Sequence, residues 1–163
     1  RKVEKVGDMD AHPTALADAR AKARELSASF LNRKKVLFVC GENACRSQMA
    51  AAFARKMAGD RFEVESAGSA PAEKVNPMME KVMAEKGIDM AYLKPSAISG
   101  LPDAWQPDAV VSMGCEVTCP TFPGAVTEDW DLPDPAKESL DFMRNVRDQV
   151  ESRVGGFVTE FGG

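Results

Sequence analysis

The stretch that decides the fold is Val36-Leu37-Phe38-Val39-Cys40-Gly41-Glu42-Asn43-Ala44-Cys45-Arg46-Ser47. Its first four residues are branched or aromatic and predict a buried strand. A glycine and an asparagine then favour a tight turn. The residues from Arg46 onward are rich in alanine and methionine and predict a helix. A strand, a short loop and a helix therefore follow one another directly.

This loop has the features of an anion-binding site. Backbone N–H groups converge where a loop opens into a helix, and the helix dipole adds partial positive charge. Cys40 and Arg46 stand at the two ends of the loop with five residues between them. At that spacing the guanidinium and the loop amides can hold a tetrahedral oxyanion above the sulfur atom. The same positive field favours a thiolate nucleophile, to which the hydroxyl of Ser47 can donate a hydrogen bond.

The composition is that of a soluble protein with one sizeable core. The chain has 163 residues, of which 44% are hydrophobic and 28% charged, and no apolar run is long enough to span a bilayer. Its formal net charge of −4 argues against nucleic-acid binding. We expect residues 1–34 to form an N-terminal helical extension, the remnant of a longer chain or domain, and residues 35–163 to form the main domain.

The cysteines favour redox chemistry over structural cross-linking. There are four of them, Cys40, Cys45, Cys115 and Cys119. A chain of this size does not need disulfides for stability, so reduced cysteines and a cytoplasmic protein are expected. A metal site built from several histidines is excluded, because His12 is the single histidine of the sequence. A four-cysteine zinc site is then the remaining metal interpretation. No metal is predicted, because Cys40 and Cys45 already have a place in the loop.

Strand-like and helix-like segments alternate along the chain. The predicted strands are 35–39, 62–68, 109–113 and 124–128, and the predicted helices are 14–31, 46 to about 59, 78–86 and 139–161. This order predicts an α/β fold, a doubly wound four-stranded parallel sheet with helices on both faces. Ligands of such sheets bind beyond the carboxyl ends of the strands. Cys40, Cys115 and Asp134 each follow a different strand, so we expect them at the same edge.

Several motifs together resemble one known family. The shared segments are residues 39–50, Ser66-Ala67-Gly68, Val75-Asn76-Pro77, Cys119-Pro120 and Asp134-Pro135-Ala136. From residue 35 to the last helix, the chain resembles the thioredoxin-coupled arsenate reductases, which have the fold of the low-molecular-weight protein tyrosine phosphatases. The resemblance therefore implies reduction of arsenate, a role in arsenic detoxification and no cofactor.

The resemblance also implies a role for each site residue. Cys40 is then the nucleophile, Arg46 the oxyanion clamp, and Asp134 the acid and base. Ser47 stabilises the thiolate, and Gly41, Glu42, Asn43, Ala44 and Cys45 form the oxyanion-binding loop, in which Asn43 holds the loop shape and Cys45 is structural. Glu42 is a departure, because the family usually has a small residue there.

The resemblance implies a disulfide relay as well. Cys115 would attack Cys40 and release arsenite, and Cys119 would then attack Cys115 and pass the disulfide outward. Thioredoxin or another dithiol reductant would be the partner, and neither nucleic acid nor a membrane would be needed. Only three residues separate Cys115 from Cys119, fewer than in the best-known members of the family.

Two other functions remain open from the residues alone. A phosphatase acting through a phosphocysteine needs only Cys40, Arg46, Ser47 and Asp134. A non-catalytic thiol switch or oxyanion sensor would bind the same anion and react once without turning over. Cys115 and Cys119 favour the reductase, since a phosphatase does not need them; they could also be buried small hydrophobic residues.

Overall fold

The computed structural model describes residues 14–114 and 121–162, without the side chains of residues 29–31. The chain divides into two compact units, Arg1–Arg33 and Lys34–Gly163. In the first unit, the predicted helix is helix α1, Ala15–Leu31, with Asp18 in its first turn. The described side chains of α1 are mostly exposed. His12 lies outside the described residues.

The second unit is built on a parallel sheet, as predicted. Its strands are β1, Lys34–Cys40; β2, Phe62–Gly68; β3, Ala109–Ser112; and β4, Val126–Asp129. They lie in the order β2-β1-β3-β4, and every neighbouring pair is parallel. The carboxyl ends of all four strands therefore meet at one edge. The loop that follows β1 starts between the ends of β2 and β3.

Among the described residues of this unit, three α-helices accompany the sheet: α2, Arg46–Ala58; α3, Pro77–Ala84; and α4, Leu140–Phe161. Helix α3 begins at an Asn76 cap whose side chain accepts a hydrogen bond from the N–H of Met78. In the part of the chain that the structure describes, no helix combines the length and the apolarity needed to cross a bilayer.

The two faces of the sheet are covered differently. Alternate residues of β1, Val36 and Phe38, join a core formed with the buried faces of α2, α3 and α4. Leu37 and Val39, which alternate with them, pack on the opposite face, where the described residues form a short 3-10 helix, Ile98–Gly100. Strand β1 is thus buried on both faces, which fits its unbroken apolar pattern.

A carboxylate at the end of α3 ties that helix to α4. Glu85 accepts a bidentate pair of hydrogen bonds from Arg144 and a further one, at 2.9 Å, from Arg147. Arg147 is buried and also donates to the carbonyl of Val82 at 2.9 Å. The pKa of Glu85 is lowered from its usual 4.5 to about 2. The hydrogen bond from Arg144 contributes most to this shift, and the hydrogen bond from Arg147 contributes less. The charged carboxylate is therefore favoured in the folded chain.

We expect Glu85→Gln to lower the melting temperature by a few degrees at neutral pH. Because the folded pKa lies below the unfolded one, this stabilisation is complete above about pH 4.5 and is lost as pH falls toward about 2. Thermal melts of both proteins across that range should therefore converge at the acidic end. Glu160→Gln removes an exposed carboxylate of α4 and is the control. A difference in melting temperature that stays constant with pH would mean that the charge of Glu85 does not stabilise the fold through Arg144 and Arg147.

Candidate active site

The backbone carbonyl groups of the loop between β1 and α2 accept hydrogen bonds from a neighbouring segment, which holds the loop in place. Those of Gly41, Glu42 and Ala44 accept hydrogen bonds of 2.9–3.0 Å from the N–H groups of Ala70, Ala72 and Asn76, respectively. In a trans peptide the N–H points opposite to the C=O of the same plane. The N–H groups of these three peptide planes therefore point away from the supporting segment. Oriented amides of this kind form an anion-binding concavity at the start of a helix.

Asn43 fixes the shape of the loop from beneath. It is fully buried and has a φ of 50°, the left-handed conformation that asparagine tolerates better than most residues. Its side-chain oxygen accepts from Gln48 at 3.0 Å and from the N–H of Ser96 at 2.9 Å. Its side-chain nitrogen donates to Ser47 Oγ at 2.8 Å. Every polar atom of this buried amide group thus has a partner, and the loop is held in one shape.

The same hydrogen-bond network orients the hydroxyl group of Ser47 toward the sulfur atom of Cys40. Ser47 Oγ lies 3.0 Å from Cys40 Sγ and already accepts a hydrogen bond from Asn43. Its own hydroxyl proton is therefore free to point at the sulfur, which stabilises a thiolate. Both residues are buried, at the carboxyl end of β1 and in the first turn of α2. The chain thus places a thiol, a hydroxyl that can donate to it and a helix N-terminus close together.

Arg46 reaches across the mouth of the loop. Its side chain is only 10% exposed, and Nη1 donates to the carbonyl of Leu132 at 3.0 Å. Nη2 lies 3.4 Å from a carboxylate oxygen of Asp134, whose side chain is 59% exposed. Nε is buried and has no hydrogen-bond partner among the described residues. A buried N–H without a partner is costly, so the edge formed by Nε and Nη2 is suited to an oxyanion.

These residues surround one cavity of about 450 Å³. From the loop it is lined by Cys40, Gly41, Glu42, Ala44, Cys45 and Arg46, and from elsewhere by Ser69, Ala70, Gly114, Asp134 and Ala136. The structure thus brings Asp134 to the loop, as the topology predicts, while Asn43 and Ser47 support the loop from within the protein. Cys115 and Cys119 lie outside the described residues, so their place in a relay stays a prediction.

The two cysteines of the loop have different surroundings. Burial, with smaller contributions from the negative charges of Cys40 and Asp134, raises the pKa of Cys45 to about 12. Cys45 is therefore a neutral thiol at physiological pH. Cys40 has a hydroxyl group next to its sulfur and lies at the floor of the cavity. Of the two, Cys40 is the one placed to act as a nucleophile.

Glu42 brings a negative charge to the cavity wall. Its side chain is exposed, and its backbone carbonyl is fixed by the N–H of Ala72. We expect Glu42→Gln to tighten the binding of a tetrahedral anion such as phosphate about two- to five-fold, because an exposed like charge costs a few tenths of a kcal/mol to about 1 kcal/mol. The gain should shrink in concentrated salt, which screens exposed charges.

Calorimetric titration with phosphate at two salt concentrations measures this gain. Glu73→Gln is the control, since Glu73 is exposed in the following segment and does not line the cavity. Equal affinities of the Glu42→Gln and wild-type proteins would place the Glu42 carboxylate too far from the anion to act on it.

Three residues that support the loop were not assigned a role from the sequence. Gly68 packs so closely under the loop that a Cβ atom would lie 2.7 Å from the carbonyl oxygen of Gly41 and 2.8 Å from the nitrogen of Asn43. Ser96 and Gln48 complete the network around Asn43. Gln48 could have been found, since it follows Ser47 directly in the first turn of α2. Ser96 has no such signal, because its contact is made far along the chain.

No cluster of three or more histidine, cysteine or carboxylate side chains that could hold a metal ion occurs within residues 14–114 and 121–162. The donor set of the cavity is instead one guanidinium, loop amides and a helix N-terminus. These groups attract anions.

Comparison with known proteins places this geometry in a family context. Residues 35–162 match the family described as low molecular weight phosphotyrosine protein phosphatase. The chain is 39% identical over 132 residues to a glutaredoxin arsenate reductase of Synechocystis, which covers 78% of this chain and 98% of that protein.

Solved structures show the same likeness. One, of an arsenate reductase in the phosphate binding state, has a TM-score of 0.69 and 38% identity, over 78% of this chain and 98% of the other. Another, of a thioredoxin-dependent arsenate reductase from Corynebacterium glutamicum, has a TM-score of 0.65 and 28% identity, over 88% of this chain and 71% of the other.

Proposed function

Because this chain belongs to the low molecular weight phosphotyrosine protein phosphatase family, and its similar relatives include arsenate reductases, we propose that it reduces arsenate to arsenite with thiols. The observation that carries this function is the single cavity in which Cys40, Arg46 and Asp134 meet. The names of the relatives favour a reductase over the other activities of the family. The geometry of the cavity indicates which residues would act.

Binding is the first step. Arsenate is a tetrahedral oxyanion, and the cavity offers it the loop N–H groups, the N-terminus of α2 and the Nε–Nη2 edge of Arg46. Nη1 remains on the carbonyl of Leu132 and keeps the guanidinium in place. The anion would thus meet a preorganised set of donors, which limits the entropy lost on binding.

The chemistry then needs two thiols and protons. The Cys40 thiolate attacks arsenic, a sulfur–arsenic bond forms, and one arsenate oxygen leaves as water after receiving protons, with Asp134 as the donor within the protein. A second thiolate, assigned to Cys115, attacks Cys40 sulfur. The electron pair of the sulfur–arsenic bond stays on arsenic, so arsenic(V) becomes arsenic(III) and arsenite leaves. The two sulfurs are oxidised to a Cys40–Cys115 disulfide.

The enzyme must then be reduced from outside. Cys119 would attack Cys115 and present the disulfide to a dithiol partner, which takes it over by thiol exchange. Thioredoxin or another dithiol protein is the proposed partner. The use of reduced cysteines also favours a reducing compartment such as the cytoplasm.

Arsenite release with different electron donors tests this function. The purified protein is given arsenate with thioredoxin, glutaredoxin with glutathione, or dithiothreitol, and arsenite is measured over many turnovers. Hydrolysis of an aryl phosphate by the same preparation tests the phosphatase alternative, for which the matching family description is the supporting observation. Sustained arsenite release is expected with at least one protein donor. Aryl phosphate hydrolysis without arsenite release would replace the proposal by a phosphatase, and a single burst with every donor would favour a sensor.

We further propose that the first unit, residues 1–33 of the predicted 1–34 extension, is not needed for the chemistry, because every described residue that lines the cavity belongs to the second unit, Lys34–Gly163. A chain beginning at Lys34 should keep the wild-type rate with dithiothreitol, measured as arsenite released per enzyme. Running the same assay with the protein donor distinguishes a role in donor docking from a role in the site. Loss of both activities in a folded shortened chain would contradict the proposal.

A further inference from the structure

Gly114 lies against the guanidinium of Arg46. It follows the end of β3, has a φ of +64° and lines the oxyanion cavity. A Cβ atom at this position would lie only 2.6 Å from Arg46 Nη1 and 3.7 Å from the carbonyl oxygen of Leu132. These are the two groups that form the 3.0 Å hydrogen bond anchoring the clamp. The space that a side chain would occupy is therefore taken by the arginine.

A Cβ atom at Gly114 would clash with Arg46 Nη1, which can move without unfolding the protein. If it moves, however, it leaves the position from which it donates to Leu132. Nη1 is at the far end of a long side chain, so the fold can absorb a methyl group at Gly114. The guanidinium, however, is nearly buried and held by Leu132 on one side and Asp134 on the other. A shift of Nη1 away from Gly114 would disturb its 3.0 Å hydrogen bond to Leu132 and, with it, the orientation of the Nε–Nη2 edge.

We propose that Gly114 is a positioning residue for the oxyanion clamp: the absence of a side chain at this position holds open the site in which Arg46 binds phosphate or arsenate. Gly114 would act through Arg46 and need not touch the anion. The inference rests on the proposed function for the reaction it serves, but its effect on anion affinity can be measured without any reduction.

Glycine could also be present for its backbone alone, since other residues rarely adopt a positive φ. The chain offers a matched control for this explanation. Gly87 has a φ of +68°, and a Cβ atom there would meet nothing within 4 Å. Gly87→Ala therefore imposes the same backbone strain without a clash. Gly114→Asn complements it, because asparagine tolerates this φ but still carries a Cβ atom.

The experiment measures inorganic phosphate binding by calorimetry to the wild-type protein and to Gly114→Ala, Gly114→Asn and Gly87→Ala, each checked for folding by thermal melt. Both Gly114 variants should bind phosphate roughly 10- to 100-fold more weakly, the loss expected when charge-assisted hydrogen bonds are broken. Gly87→Ala should bind like the wild-type protein. In an Arg46→Lys background, Gly114→Ala should change the affinity less than two-fold, because the guanidinium on which it acts is gone.

Each other result has a definite meaning. Wild-type affinity in a folded Gly114 variant would overturn the proposal, and so would a full additive loss in the Arg46→Lys background. Unfolding of both Gly114 variants with Gly87→Ala folded would also overturn it, since the glycine would then serve the fold. If the wild-type protein binds phosphate and the Gly114 variants do not, but no donor supports arsenite release, the proposed function fails while this inference stands.

Discussion

Replacing Arg46 by lysine should lower kcat/KM for arsenate by roughly 10²- to 10³-fold, the usual cost of losing a preorganised oxyanion donor. Lysine keeps the charge but not the planar fork. It cannot donate to the carbonyl of Leu132 through one nitrogen and present two further N–H groups to an anion, as Arg46 Nη1, Nη2 and Nε are arranged to do. The loss should appear both in kcat and in the dissociation constant for phosphate.

Steady-state arsenite release and phosphate calorimetry check this expectation. Arg55→Lys is the matched control, because Arg55 is also on α2 but donates to the carbonyl of Val64, away from the cavity. It should retain the wild-type rate. Near-normal turnover of Arg46→Lys would mean that the loop amides hold the anion without the fork.

Replacing Cys119 by serine should abolish steady-state turnover after one arsenite has been released per enzyme. Under the proposed relay, Cys40 and Cys115 still react, but their disulfide cannot be passed on. Replacing Cys115 instead should prevent even the first arsenite from being released, because no thiol attacks Cys40. Arsenite counted in a single burst, with peptide mapping after acid quench, distinguishes the two. Mapping of Cys119→Ser should find Cys40 joined to Cys115.

Acid-quenched wild-type protein, with and without dithiothreitol, is the control for disulfides formed during handling. Steady-state reduction at the normal rate by both serine variants would eliminate the relay and make the phosphatase the better interpretation. A burst in Cys115→Ser equal to that of Cys119→Ser would show that another thiol attacks Cys40.

Sequence reasoning was most successful where the structure is determined locally. Val36 to Val39 predict a buried strand, and β1 is buried on both faces. The following loop and helix were found because their signals lie within a dozen residues. The position of Asp134 at the cavity was predicted too, although it is far along the chain, because the carboxyl ends of parallel strands share one edge.

Boundaries were less accurate, for reasons that the backbone shows. Helix α3 was predicted to continue to Lys86, but it ends at Ala84, because Gly87 turns with a φ of +68° and Ile88 donates back to the carbonyl of Met83. Strand β4 was predicted at 124–128 but spans Val126–Asp129, because Gly124 belongs to a turn with a φ of +85°.

The last helix was predicted at 139–161 in spite of Gly155 and Gly156, although glycine is a poor helix former. Helix α4 runs through both to Phe161. Packing overrides propensity there, since Val154, Phe157 and Val158 are buried in the core around the two glycines. The supports of the site, Gly68, Ser96 and Gly114, were not predicted because each acts on a residue distant in sequence.

The rigid network beneath the loop has a consequence for selectivity in the cell. Asn43, Ser47 and Gln48 hold the loop ready for any tetrahedral dianion of the right size. Phosphate has nearly the shape and charge of arsenate, so such a pocket has little means of rejecting it. Abundant cellular phosphate would then be a standing competitor, lowering the free enzyme by mass action. Discrimination would arise after binding, because thiols reduce arsenic(V) readily and do not reduce phosphorus(V).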